Sequence, residues 1–202
     1  MTRLSAVIVQ LVDALFTLVS RCRLVDPSGA GLLLVSYHSY NGPSFVIPDG
    51  TAVARGALVG ELHLASRRIA RSATAGLRSE WDLLLTLRRE ICVLAGRAAA
   101  GDPLHPPVVA FYGVTTLGAG AQRLGFHCRP VPASMRSTLI RWWETRLARA
   151  YAAPFARPRR GRPLTEVWLS ARALVGLAVS RSGAQKTSPE NMPNATPISL
   201  LH

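Results

Sequence analysis

The sequence predicts an α+β fold: a single two-layer domain in which a mostly antiparallel or mixed sheet of about five to six strands packs against three helices. Two observations carry that prediction. Helical and extended segments follow one another in the irregular order α-β-β-β-α-β-β-α-β with several hairpin signals, whereas a doubly wound sheet needs repeated strand, crossover helix, strand units. No Gly-x-Gly-x-x-Gly or P-loop is present, and the glycines from Gly113 to Gly120 lack the lysine and spacing of a phosphate loop. The chain has 202 residues, 49% of them hydrophobic and 17% charged, which suits one substantial core. Residues 1–181 are expected to form that domain, with 182–202 a polar, disordered tail rich in Pro, Asn and Ser.

Leu4 to Val19 is strongly apolar and reads as the first helix. It is shorter than the roughly 20 residues that span a bilayer, and it carries Gln10 and Asp13. The aspartate and the lack of a small-residue cleavage site before Arg21 and Arg23 also argue against a signal peptide. A buried or partly interfacial helix is expected, with peripheral membrane contact open to it.

Asp26-Pro27-Ser28-Gly29 is a turn, and Leu32 to Tyr40 is rich in strand formers. Asn41-Gly42-Pro43 interrupts the pattern before it resumes at Ser44 to Ile47, predicting a hairpin. Pro48-Asp49-Gly50 turns the chain toward a strand through Gly60-Glu61-Leu62-His63-Leu64. Arg67 to Ala100 is helical by period, interrupted near Gly76, with Trp81, Leu84, Leu85, Arg88 and Cys92 at helical spacing and Glu80 and Asp82 in a first turn. Val108 to Val114 reads as a strand, and Thr115 to Gln122 as a glycine-containing hairpin loop into Arg123 to Pro130. A third helix is expected over about Ser134 to Tyr151, with Ile140, Trp143, Leu147 and Tyr151 in one stripe. Adjacent Trp142 and Trp143 point about 100° apart, one inward and one to the edge. Pro154 to Pro163 is a Pro/Arg-rich loop, Leu164 to Leu169 a last strand, and the chain then makes a short helical turn through Leu174.

The formal charge is +13, from 24 Lys plus Arg against 11 Asp plus Glu, and nearly all the cations are arginines. Such a surface attracts nucleic acid, acidic lipid headgroups or an acidic partner, although a GC-rich coding bias yields the same composition. Ten arginines lie between Arg123 and Arg162 against the single acid Glu144. Arg123, Arg159 and Arg160 are therefore candidates for holding an anionic ligand, a lipid headgroup or an acidic glycan. No helix-turn-helix and no RNA-binding aromatic motif is present, which weighs against sequence-specific nucleic-acid binding. Cys22, Cys92 and Cys128 are odd in number and far apart, so no disulfide framework is expected and a reducing compartment is favoured. The location this implies is cytoplasmic, with peripheral contact at an inner membrane face.

The chemistry-bearing motif is Gly60-Glu61-Leu62-His63-Leu64. Side chains alternate across a strand, so Glu61 and His63 share one face and Leu62 and Leu64 the other. Histidine titrates near neutrality and a neighbouring carboxylate raises its pKa, so the pair serves either as a general acid/base couple or as a structural hydrogen-bonded pair. A metal site would need three or more of His38, Glu61, His63, His127 and Cys128 to converge; no metal and no other cofactor is expected. Tyr112, Thr115 and Thr116 end a strand before the glycines and could bind a ligand or simply close a hairpin. Trp168 shares its face with Glu166 and Ser170, as an aromatic wall or as cover for a helix. No Ser/His/Asp arrangement is evident, since Gly-x-Ser-x-Gly is missing.

Gly60-Glu61-Leu62-His63-Leu64, Tyr112-Gly113-Val114-Thr115, Arg123-Leu124-Gly125-Phe126 and Glu166-Val167-Trp168-Leu169-Ser170, in that order, resemble the YkoP-like domain family. This is a poorly characterised bacterial domain found alone or attached to polysaccharide deacetylase-like and other envelope-associated proteins. The resemblance spans about Leu32 to Leu174. It implies a standalone domain linked to envelope metabolism, and it implies no deacetylase activity, because the metal and catalytic motifs of the attached deacetylase are absent here. Ala65-Ser66 stands where the family pattern often has an Asn-bearing turn.

Two functions are compatible with these features. One is a non-catalytic domain that binds an anionic, envelope-associated ligand or partner. The other is a small hydrolase or transferase acting on a sugar or lipid-linked substrate, with Glu61 and His63 as its acid/base pair and Tyr112, Thr115 and Trp168 closing the cleft. If Glu61, His63 and Trp168 line one concavity, the small-ligand and enzyme readings gain; a continuous arginine patch would favour anion docking.

Overall fold

The computed structural model describes residues 3–28, 31–75, 79–102, 104–132, 134–150 and 163–177. The predicted tail and the arginine-rich loop, with Arg157, Arg159, Arg160 and Arg162, lie outside the described residues. The elements run α1 (Arg3–Val19), β1 (Arg23–Leu24), β2 (Leu33–Ser39), β3 (Phe45–Val46), β4 (Ala52–Val53), β5 (Leu58–Leu64), α2 (Ser66–Ala75), α3 (Glu80–Ala99), β6 (Ala110–Thr115), α4 (Gly118–Arg123), β7 (His127–Pro130), α5 (Met135–Ala150) and β8 (Thr165–Ser170). A final helix, α6, covers 171–177.

Six strands form a mixed sheet in the order β1-β2-β5-β6-β8-β7, and β3 and β4 form a small second sheet. Only β5 and β6 are parallel within it. The α+β class is therefore as predicted, but six described helices replace the expected three. They cover both sheet faces, so the domain has three layers rather than two.

Two predicted hairpins are replaced by longer-range pairings. β2 does not turn back onto β3; it pairs along its whole length with β5, from Leu33 opposite Leu64 to Ser39 opposite Leu58. The intervening Phe45–Val46 pairs instead with Ala52–Val53 across the Pro48-Asp49-Gly50 turn. Likewise, β6 and β7 are not neighbours, because β8 inserts between them. The glycine-containing segment read as a hairpin loop forms the short helix α4, and Gly120 lies where an added Cβ would stand 2.7 Å from Leu84 of α3. In both cases a full-length strand partner buries more apolar surface than a local turn could.

The main core lies between the sheet and α3. Leu33, Val35, Phe111, Val167 and Leu169 face Leu83, Leu87, Ile91 and Leu94, with Ile69 of α2 and Leu174 of α6 completing it. The buried stripe of α3 is thus shifted from the residues that sequence spacing singled out, and Trp81 and Leu85 are exposed. A capping box starts α3: the Ser79 hydroxyl accepts from the Asp82 N–H at 3.1 Å, and the Asp82 carboxylate accepts from the Ser79 N–H at 3.0 Å. Glu90, also on the buried side of α3, accepts from the backbone N–H groups of Leu32 (2.8 Å) and Leu33 (2.7 Å) and so ties the helix to the start of β2.

On the opposite face, α1 and α5 lie side by side, joined by a hydrogen bond from Gln10 Nε2 to the Ala150 carbonyl at 3.1 Å. The edge of the Phe16 ring meets His63, centroids 5.4 Å apart, which places α1 over the Glu61/His63 face. Of the two placements expected, buried or partly interfacial, the buried one does not hold, because most large apolar side chains of α1 are exposed. A Schellman motif ends it, with Cys22 N–H bonded to Thr17 O and Arg21 N–H to Leu18 O. Arg21 takes the left-handed position of that motif (φ 50°), where glycine is favoured.

Candidate functional site: a polar sheet face beneath two helices

Register and alternation assemble the site. Ser36 lies opposite Glu61, Glu61 opposite Tyr112, Tyr112 opposite Trp168, and Trp168 opposite His127, so one row of side chains crosses five strands on one face. His38 and His63 flank Glu61 two positions along β2 and β5, on the same face. Leu62 and Leu64 point away to pack on the main core, as alternation predicted.

Glu61 is the hub of this row. Its Oε2 is 3.7 Å from His63 Nε2 and 3.8 Å from His38 Nδ1. Nε2 of His38 is within 3.1 Å of the Tyr112 hydroxyl, and Nε2 of His63 lies 3.5 Å from the Ser36 hydroxyl. Burial holds the His63 pKa below its ordinary value, against the upward pull of Glu61, so His63 is neutral at pH 7. A neutral imidazole beside a carboxylate can accept a proton or a hydrogen bond. Among the described residues no group of three or more His, Cys, Asp or Glu could hold a metal ion. His127 joins the far end of the row, opposite Trp168, and Cys128 points to the other face, its thiol donating to the Gly118 carbonyl.

Trp168 is 1% exposed. Tyr112 stacks on it at 4.7 Å and 16°, while Phe45 and Tyr40 present edges to it at 4.8 and 5.4 Å. It is the packed floor under the β3–β4 hairpin rather than an open stacking platform. Its indole N–H points to Glu166 Oε2, 3.4 Å away. The Thr115 hydroxyl accepts from the Leu117 N–H at 3.0 Å and so shapes the turn into α4.

A cavity of about 1010 Å³ runs from this polar row to the apolar core. Residues of both sheet faces line it, among them Glu61, His63, Tyr112, Thr115 and Trp168, together with Leu83, Leu87 and Ile91 of α3. It therefore wraps around the carboxyl ends of the parallel pair β5 and β6, the part of an α/β arrangement where strands diverge and ligands are commonly held. Asp13, Phe16 and Thr17 of α1 and Ile140, Trp143, Glu144 and Leu147 of α5 line its outer side.

Glu144 is the residue that sequence reasoning passed over. Burial raises its pKa to about 7, opposed by the nearby Arg141, and its Oε2 is buried with no hydrogen-bond partner among the described residues. The available signal was its position: it follows the inward-facing Trp143 and lies four residues after Ile140 on the same stripe.

The described arginines stand elsewhere. Neither arginine nor lysine is among the described residues that line the cavity. Arg123 is exposed in the last turn of α4, Arg129 lies over the Phe45 ring at 4.2 Å, and Arg146 lies over Trp142 at 4.9 Å. Arg159 and Arg160 are outside the described residues.

The fold and this polar face define an α+β domain with a partly open cavity, built on a six-stranded mixed sheet. A family model described as the YkoP domain matches residues 2–176, and the chain belongs to that family. No curated protein and no solved structure matches it.

Proposed function

We propose that this YkoP domain is a binding module for an amphipathic small molecule with an apolar body and an uncharged or positively charged head. The observation that carries this reading is the cavity itself. The apolar part of its lining, Leu83, Leu87 and Ile91 of α3 with Ile140 and Leu147 of α5, suits a hydrocarbon chain, and the same lining carries His38, Glu61, His63, Tyr112 and Glu144. Hydroxyl or amino groups match those acceptors and donors, whereas a carboxylate or phosphate would meet acids with no compensating cation among the described residues. The described arginines lie outside this lining, so an anionic, envelope-associated ligand or acidic partner suits the outer surface of the domain better than the cavity.

A fluorescence titration tests this with the neutral apolar dye N-phenyl-1-naphthylamine. Saturable binding, displaced by dodecanol and dodecylamine but at least about tenfold less well by dodecanoate, is the expected result. No saturable binding, or preferential displacement by dodecanoate, overturns it.

The alternative is a small hydrolase or transferase for a sugar or lipid-linked substrate, favoured by one observation. The neutral His63 and the Glu144 carboxyl, raised to about 7, line one cavity with Glu61 between two imidazoles. Opposite pKa shifts of this kind suit proton transfer. In that reading His63 accepts the proton of an attacking hydroxyl or water, Glu61 steadies the imidazolium, and the protonated Glu144 carboxyl donates to the leaving oxygen as its bond to the transferred group breaks.

A further inference from the structure

Helix α1 is amphipathic in the inverse sense. Its inward stripe is Ala6, Val9, Asp13 and Thr17, two of them polar, with Phe16 at its margin, while its other large apolar side chains from Val7 to Val19 are 43–75% exposed. Beside it, α5 exposes Met135, Leu139 and Trp142 at positions i, i+4 and i+7, each by at least half, with Leu139 at the cavity rim. Two adjacent helices over one sheet face thus present their apolar sides away from the protein. Exposed apolar surface on this scale marks an interaction site.

Charge selects the occupant. Arg21 and Arg23 follow α1 directly and are exposed, Arg141 and Arg149 are exposed on α5, and Arg146 lies along the Trp142 ring. A second copy of a chain carrying +13 would bring like charges together. An anionic bilayer complements both the arginines and the apolar side chains, and tryptophan and arginine suit the headgroup boundary. No helix among the described residues is long and apolar enough to cross a membrane, so α1 would lie in the interface rather than through it.

We infer that the α1–α5 face is a docking surface for anionic lipid bilayers, with α1 and Trp142 set at the headgroup boundary. Docking does not depend on what fills the cavity. The inner side of α1 nevertheless lines that cavity through Asp13, Phe16 and Thr17, so a docked domain holds its cavity one helix away from the lipid.

Flotation with vesicles tests the inference. Vesicles of mixed phosphatidylglycerol and phosphatidylcholine should retain the protein at least about tenfold better than phosphatidylcholine alone, and added salt should weaken the binding in part. Lipid brominated on its acyl chains should quench the protein fluorescence, and Trp142→Phe should remove most of that quenching. Leu11→Glu with Leu15→Glu should abolish flotation while leaving circular dichroism and dye binding unchanged, which separates this surface from the cavity. Absence of flotation with phosphatidylglycerol, or flotation without quenching through Trp142, overturns the inference. So does a dimer that the two glutamates dissociate, because the face would then belong to a second copy.

Discussion

The ring of Tyr112 lies flat on the indole of Trp168, centroids 4.7 Å apart and planes 16° from parallel, and this stack joins the polar row to the β3–β4 hairpin. On one side the Tyr112 hydroxyl meets His38 at 3.1 Å; on the other, Trp168 packs against Ile47, Val53, Val59 and Ala110. The pair is both core and site. Trp168→Ala should cost about 3–5 kcal/mol in urea unfolding, whereas Tyr112→Phe, which keeps the stack, should cost about 1 kcal/mol. Equal losses from the two variants would show that the hydroxyl, not the stack, holds the hairpin.

Glu144 makes stability fall as pH rises. Its folded pKa of about 7 lies above the unfolded carboxylate value, so its contribution is complete below the unfolded pKa and is lost as pH rises through 7. Glu144→Gln should therefore stabilise the protein by about 1–3 kcal/mol near pH 8 and leave it little changed near pH 4. Denaturant midpoints for both proteins at the two pH values check this, and parallel pH profiles would contradict it.

His63 acts in the opposite sense. Burial lowers its folded pKa, as it does for His105, so the unfolded chain binds the proton first and stability declines as pH falls below about 6.5. His63→Gln should flatten that decline without removing it, because His105 contributes its own share. Nuclear magnetic resonance titration of the two imidazoles supplies the direct measurement; a His63 pKa above that of a free histidine reverses the prediction.

Glu90 is 2% exposed and serves two backbone N–H groups. Glu90→Ala strands both donors and should cost about 2–4 kcal/mol, while Glu90→Gln retains one acceptor oxygen and should cost less. Amide exchange at Leu32 and Leu33 should accelerate in the alanine variant before exchange in β6 does.

Arg21 holds a left-handed backbone conformation that glycine adopts without penalty. Arg21→Gly should raise stability by about 0.5–1 kcal/mol and at the same time weaken binding to phosphatidylglycerol vesicles. Loss of stability would mean that the arginine side chain makes a packing contribution larger than its backbone cost.

Much of the site was legible in the chain because alternation is local. Glu61 and His63 had to share a face, Leu62 and Leu64 had to oppose them, and Glu166 and Trp168 followed the same rule on β8. The Arg67 to Ala100 helical segment with its break, the third helix and the α+β class were equally readable, since period, turn residues and caps act within a few positions. The four matching segments that point to the YkoP domain are also short and contiguous.

What only the tertiary structure decided is which strands meet. His38 reaches Glu61 because β2 pairs with β5, Ser36 opposite Glu61, and Trp168 reaches Tyr112 because β8 enters between β6 and β7; hairpin signals favoured nearer partners in both places. The outward set of α1 was hidden for a related reason. A helix apolar on most of its surface looks the same in sequence whether it is buried or exposed, and only the structure shows that Asp13 and Thr17 take its inward side. Local sequence fixes conformation and facing within an element, whereas pairing is chosen by the total surface buried among distant elements.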